Sequence, residues 1–116
     1  MIRKSSEIKT NRIDGKFGGA GYVEMASLIS GNEELNNKGR VYSRITIQPG
    51  NEFGYHEHHG ESEIYYILSG TGLLSDNGNL VQVEAGDVAF TPDGHGHSIK
   101  NNGTEPLEIM ALVLFV

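Results

Sequence analysis

Short apolar runs, punctuated about every ten residues by glycine, asparagine, aspartate or proline, leave this chain little choice but a β architecture. No stretch of useful length carries apolar residues at helical spacing. The candidate strands are residues 22–29, 41–48, 54–58, 63–68, 72–75, 80–83, 88–91, 97–101 and 107–116. Sixteen glycines, against about 8 at average usage, fit many tight turns. Asp76-Asn77-Gly78 and Glu84-Ala85-Gly86-Asp87 are the clearest turn signals. Many evenly spaced short strands predict an all-β antiparallel sandwich or small barrel, which closes or shields its own edges.

The chain of 116 residues has room for one domain, residues 1–116. A chain of this size can bury a core without covalent staples, and the absence of cysteine excludes both a disulfide framework and thiolate chemistry. Residues 1–20 read as an N-terminal arm, because five of the nine basic residues (Arg3, Lys4, Lys9, Arg12, Lys16) fall within the first sixteen positions. The run Gly18-Gly19-Ala20-Gly21 reads as a flexible lead into the first strand, since it lacks the lysine and Ser/Thr of a phosphate loop. A net charge of −6 speaks against a nucleic-acid partner. Neither a signal-peptide pattern nor an apolar run of membrane-spanning length is present, so a cytoplasmic, membrane-free setting is expected. Ile109 to Val116 is apolar without a break. A strand with one wet face should alternate, so both faces of this one are expected to be covered, the second by another copy in a homodimer.

All five histidines (His56, His58, His59, His95, His97) fall within 42 positions. His56 and His58 are two apart on a predicted strand, so both imidazoles project to one side from backbone positions roughly 6.5 Å apart. Glu63 opens the next strand and can return to the same pocket, and His97 begins another strand after the Pro92-Asp93-Gly94 turn. Three neutral nitrogens and one carboxylate suit a divalent ion, and on an octahedral ion they leave two positions open. His59 is expected to face solvent, and His95 sits in a turn.

Two motifs resemble those of the cupin superfamily. G-x(5)-H-x-H-x(4)-E-x(6)-G is matched by Gly50, His56, His58, Glu63 and Gly70, within residues 50–70. G-x(5)-P-x-G-x(2)-H-x(3)-N is matched by Gly86, Pro92, Gly94, His97 and Asn101, within residues 86–101. The chain thus resembles a small single-domain metal-binding cupin. The resemblance implies a double-stranded β-helix, or jelly roll, in which His56, His58, Glu63 and His97 bind one divalent ion inside the barrel. Mn, Fe, Zn, Ni and Co all suit such ligands.

Beside these residues, alternation from Glu63 sends Tyr65 and Ile67 inward, which makes Tyr65 a candidate to hydrogen-bond a ligand. Arg44 is a candidate clamp for a substrate carboxylate, unless its face of the strand is the wet one. Glu57, Glu61 and Tyr65 are candidate acids or bases that spacing does not separate. The resemblance implies an enzyme acting on a small oxygen-rich metabolite that chelates the metal, by dioxygenase-like or decarboxylase-like chemistry, with isomerisation next. The alternative is a small-molecule-binding or sensor cupin without turnover, since function resides in the site rather than the scaffold.

Overall fold

The computed structural model describes residues 1–116 and consists of ten strands in two antiparallel sheets. The strands are β1 (Thr10–Asp14), β2 (Tyr22–Ser30), β3 (Gly39–Ile47), β4 (Glu52–Glu57), β5 (Glu61–Ser69), β6 (Thr71–Asp76), β7 (Asn79–Glu84), β8 (Val88–Thr91), β9 (Gly96–Lys100) and β10 (Leu107–Phe115). One sheet has the order β1-β2-β3-β10-β5-β8 and the other β4-β9-β6-β7. The only α-helix is a single turn, Gly31–Glu34, in the β2–β3 connection. No helix is long and apolar enough to cross a membrane. This is the antiparallel two-sheet arrangement that the turn spacing predicted, and the jelly roll that the cupin resemblance implied.

The core lies between the sheets. Alternation sets it: Ile45 and Ile47 of β3, Tyr65 and Ile67 of β5, Leu107, Ile109 and Ala111 of β10 all point inward and are almost fully buried. Phe53, Leu74, Val83 and Ile99 meet them from the second sheet. Each such aliphatic or aromatic side chain contributes about 1.5–3 kcal/mol relative to exposure. The β6–β7 hairpin turns at Asn77 and Gly78, both with positive φ (51° and 99°), as a two-residue turn matched to strand twist demands.

β10 occupies a central place in the larger sheet, between β3 and β5. Its inner residues are buried and its outward residues Met110, Leu112 and Leu114 are half-buried. The unbroken apolar run therefore resolves into a strand with one core face and one outer face that is only partly covered.

Residues 1–20 contain two features that the sequence did not reveal. β1 is an edge strand paired with β2 from Thr10↔Ala26 to Asp14↔Tyr22, made almost wholly of exposed polar residues. A tight turn, Lys16–Gly18, then packs against β4. Gly19 is buried, and a Cβ there would run into the backbone of Glu52 and Gly54. The glycine run serves this close backbone approach, and a loose lead into β2 is not what it forms.

Candidate metal centre

His56 comes from β4, His58 follows directly after it, Glu63 comes from β5 and His97 from β9. β4 and β9 place His56 opposite His97 in one sheet, and β5 brings Glu63 across from the other. The four side chains meet between the layers, with one donor atom from each lying within 4.8 Å of the others. His97 Nε2 is 3.1 Å from His56 Nε2 and 3.2 Å from His58 Nε2. Glu63 Oε1 lies 2.8 Å from His97 Nε2, 3.1 Å from His58 Nε2 and 3.9 Å from His56 Nε2. Neighbouring donors held about 2.1 Å from one octahedral ion stand roughly 3.0 Å apart, so the observed separations are those of a metal's ligand sphere.

The outer nitrogens show which atoms face the centre. His56 Nδ1 donates to the Gly54 carbonyl at 2.9 Å, and His58 Nδ1 donates to the Glu61 carboxylate at 2.5 Å. His97 Nδ1 meets Thr91 Oγ1 at 2.9 Å. With the proton on Nδ1, the Nε2 atoms of neutral His56 and His58 present lone pairs. Lone pairs and a carboxylate oxygen converging at hydrogen-bond distance repel one another unless a cation, or a proton taken from water, lies among them. The donor set therefore fits a divalent ion and could hold one.

Electrostatics agree. Burial would raise the Glu63 carboxyl, but hydrogen bonds to His56, His58 and His97 outweigh it and hold the group well below the usual carboxylate range. The bond to Glu63, helped by Glu61, raises His58 despite burial, whereas burial wins at His97 and lowers it.

Alternation alone does not produce this geometry. Phe53 and His56 are three apart, yet both point inward, because the β4–β9 register slips between Phe53↔Ile99 and His56↔His97. The slip is a β-bulge at Gly54 and Tyr55, which turns Tyr55 to solvent and leaves the Gly54 carbonyl free to orient His56.

Of the other candidates, Tyr65 is buried inside the barrel with its ring stacked on His97 at 4.8 Å. Burial first, then the Glu63 charge, pushes its phenol well above the ordinary value, so it stays protonated. Glu61 is not a free acid or base. Arg40 grips both its oxygens at 2.7 and 2.6 Å while it accepts from His58, and the Arg40 bond lowers its carboxyl. Arg44 is exposed on the outward face of β3 beside Tyr42, Leu68 and Met110, remote from the cluster; its face is the wet one. His59 is exposed and contacts Glu57, itself exposed, at 3.6 Å. His95 is exposed too; its backbone carbonyl, rather than its ring, accepts from the His58 N–H at 3.0 Å.

A small cavity of about 80 Å³ opens beside the centre, lined by His56, His58 and Glu63, by apolar Met25, Phe53 and Val113, and by Lys16, Phe17 and Arg40. Sequence reasoning missed the last three. Strand parity puts Arg40 outside with Tyr42 and Arg44, but β3 carries one extra residue where Val41↔Val113 is followed by Gly39↔Leu114, and this bulge brings Arg40 to the cavity. Lys16 and Phe17 lie in the presumed arm, and only the lone aromatic in a polar stretch hinted at them.

A two-sheet jelly roll with three imidazoles and a carboxylate converging between its layers defines the class as a cupin-type β-barrel with a metal-ligand cluster. Residues 43–115 match the family described as the cupin domain, and the chain belongs to that family. It is 47% identical over 116 residues to an oxalate-binding protein of Thermotoga maritima, covering all of this chain and 95% of the relative. A crystal structure of a predicted oxalate decarboxylase from Thermotoga maritima, also 47% identical, superposes with a TM-score of 0.95 over the whole of both chains. A mannose-1-phosphate guanylyltransferase of Klebsiella pneumoniae is 37% identical over 70 residues, which is 60% of this chain and 15% of that protein.

Proposed function

We propose that this protein binds one divalent metal ion through His56, His58, Glu63 and His97 and captures on it a small oxygen-rich chelating anion of the oxalate class. The observation that carries this reading is the pairing of an all-acceptor cluster with a cavity of about 80 Å³ whose remaining charged groups are the cations Lys16 and Arg40. The ion, when bound, supplies a Lewis acid with positions free for a chelating ligand. The chain's part is to orient three imidazoles through their outer nitrogens, to keep Glu63 ionised, and to offer the anion apolar walls and a positive rim. The oxalate-binding relative from Thermotoga maritima, at 47% identity over the full chain, supports the ligand class.

Turnover by a decarboxylase-like or dioxygenase-like route is the second reading, favoured by the structural neighbour described as a predicted oxalate decarboxylase. Capture without turnover is preferred because no carboxyl, imidazole or phenol lines the cavity apart from the proposed ligands themselves. Glu61 is tied to Arg40 and His58, and Tyr65 is buried against His97. A proton-transfer group must reach the substrate directly or through one water.

Calorimetric titration of oxalate into protein loaded in turn with Mn, Fe, Co, Ni and Zn decides between them. The expected result is metal-dependent binding with oxalate recovered unchanged. Release of carbon dioxide or consumption of dioxygen would replace capture by catalysis, and no binding with any of the five metals would remove both. Protons compete with the metal for Nε2, so occupancy falls as pH falls. Because His58 is raised by Glu63, loss should begin near or above the ordinary histidine value of about 6.5. Metal content at pH 7.5 and 4.5 should differ severalfold; equal content would contradict the ligand assignment.

The reading includes a homodimer that packs through the outer face of the larger sheet. Half-buried Met110, Leu112 and Leu114 support it, together with the adjoining depression lined by Tyr42 and Leu68. Sedimentation should give twice the chain mass of 12.6 kDa; a monomer at micromolar concentration would rule it out.

A further inference from the structure

The turn that the N-terminal segment lays across β4 places a cation and an aromatic ring at the cavity. This turn is fixed by backbone contact. Glu52 N–H donates to the Ala20 carbonyl at 2.9 Å, and Gly54 has no side chain where a Cβ would strike the backbone of Lys16, Phe17 and Gly19. Phe17 holds a left-handed conformation (φ 50°, ψ 36°), uncommon for any residue with a Cβ and most costly for bulky ones. Its ring is stacked on His56 with centroids 4.4 Å apart and planes 14° apart, although 56% of the residue remains exposed. An exposed aromatic held in a disfavoured backbone conformation against a ligand imidazole fixes where its neighbour Lys16 sits. The Lys16 ammonium lies 4.9 Å from the Phe17 ring centroid, and Lys16 is among the residues that line the cavity.

Of the two cations at the cavity, only Lys16 is available to a ligand. The Arg40 fork is spent on both oxygens of Glu61, and the two formal charges cancel. Lys16 is in no ion pair. A divalent ion with the single charge of Glu63 leaves one net positive charge, and Lys16 makes it two. The site is therefore charge-matched to a dianion, and its volume limits that dianion to a few non-hydrogen atoms.

We propose that Lys16, positioned by the Phe17 turn over β4, is the residue that selects a small dicarboxylate dianion over a monocarboxylate at this site. The proposal rests on the metal-and-anion reading above. Its test uses the full chain loaded with Mn(II), with oxalate and acetate titrated separately at one ionic strength, and Mn(II) affinity measured independently by electron paramagnetic resonance. Lys16→Gln should weaken oxalate binding ~10-fold while weakening acetate by less than ~3-fold, as expected for loss of one charge-assisted contact. Lys16→Arg should restore oxalate affinity, and Mn(II) affinity should stay within about twofold in both, because Lys16 is not a ligand. Lys16→Gln binding oxalate as the wild type does, or losing oxalate and acetate equally, would overturn the role of Lys16 and leave the metal-and-anion reading standing. Failure of Mn(II)-loaded wild type to bind oxalate, with Mn(II) itself bound, would overturn the anion reading and this proposal with it.

Discussion

Replacing His58 by alanine is expected to reduce metal affinity by at least ~100-fold and to leave a folded barrel. Removing outer-sphere partners of ligands commonly costs 10- to 100-fold, and His58 is itself a donor at the cluster's centre, with its Nε2 within 3.2 Å of both His97 Nε2 and Glu63 Oε1. The fold should survive, because the twelve-residue apolar core does not include His58 and is untouched. The contrast appears in melting curves. A ligand at 1,000 times its dissociation constant stabilises the folded state by about 4 kcal/mol. At roughly 4 °C per kcal/mol for a domain of this size, metal should raise the wild-type melting temperature by ~15 °C. His58→Ala should show almost no rise. His59→Ala is the control: its side chain is 70% exposed and pairs with Glu57 outside the cluster, so its metal response should match the wild type. Equal losses in both variants would refute the assignment of faces at the end of β4.

Asn101→Ala should produce the largest loss of stability among polar substitutions, about 3–5 kcal/mol. Asn101 is completely buried. Its Nδ2 donates to the carbonyls of Ile47 and Glu105, each at 2.8 Å, and its Oδ1 accepts from the Gly103 N–H at 2.9 Å. Its backbone pairs with Gly50 and Asn51. The side chain thereby ties the end of β3 to the loop between β9 and β10, while the backbone of the same residue holds the turn after β3. Alanine would leave three backbone groups without that partner, each worth about 1–3 kcal/mol when orphaned, with water recovering part. Domains of this kind are stable by only about 5–15 kcal/mol, so denaturant melts should shift plainly. Asn102→Ala, which removes an exposed pair with Gln82, should stay within about 0.5 kcal/mol of wild type. An Asn101→Ala variant within 1 kcal/mol of wild type would show that these bonds do not hold the loops.

Wherever hydrophobic alternation meets a turn residue, the strand is legible from the residues alone. β8 falls at Val88–Thr91 as expected, and β2, β3 and β5 differ from expectation by no more than two residues at either end. β1 was invisible because Thr10-Asn11-Arg12-Ile13-Asp14 has one half-buried residue and pairs through its backbone, which leaves no periodic trace. The four groups of the cluster were legible because their spacings match the two cupin motifs. Tyr65 was correctly sent inward by counting in twos from Glu63.

Order along the chain thus determined the β class and the turns, because strand periodicity and turn chemistry are local properties, and resemblance to the two cupin motifs singled out the four converging donors. Tertiary structure decided the rest of the pocket. The bulge in β3 brings Arg40 to the cavity while Arg44 stays outside, and Glu61 is bound between Arg40 and His58. The turn at Lys16 and Phe17 reaches His56 across some forty residues. An inserted residue reverses side-chain parity, and a backbone contact between distant segments obeys no period, so neither leaves a mark that counting along a strand can recover.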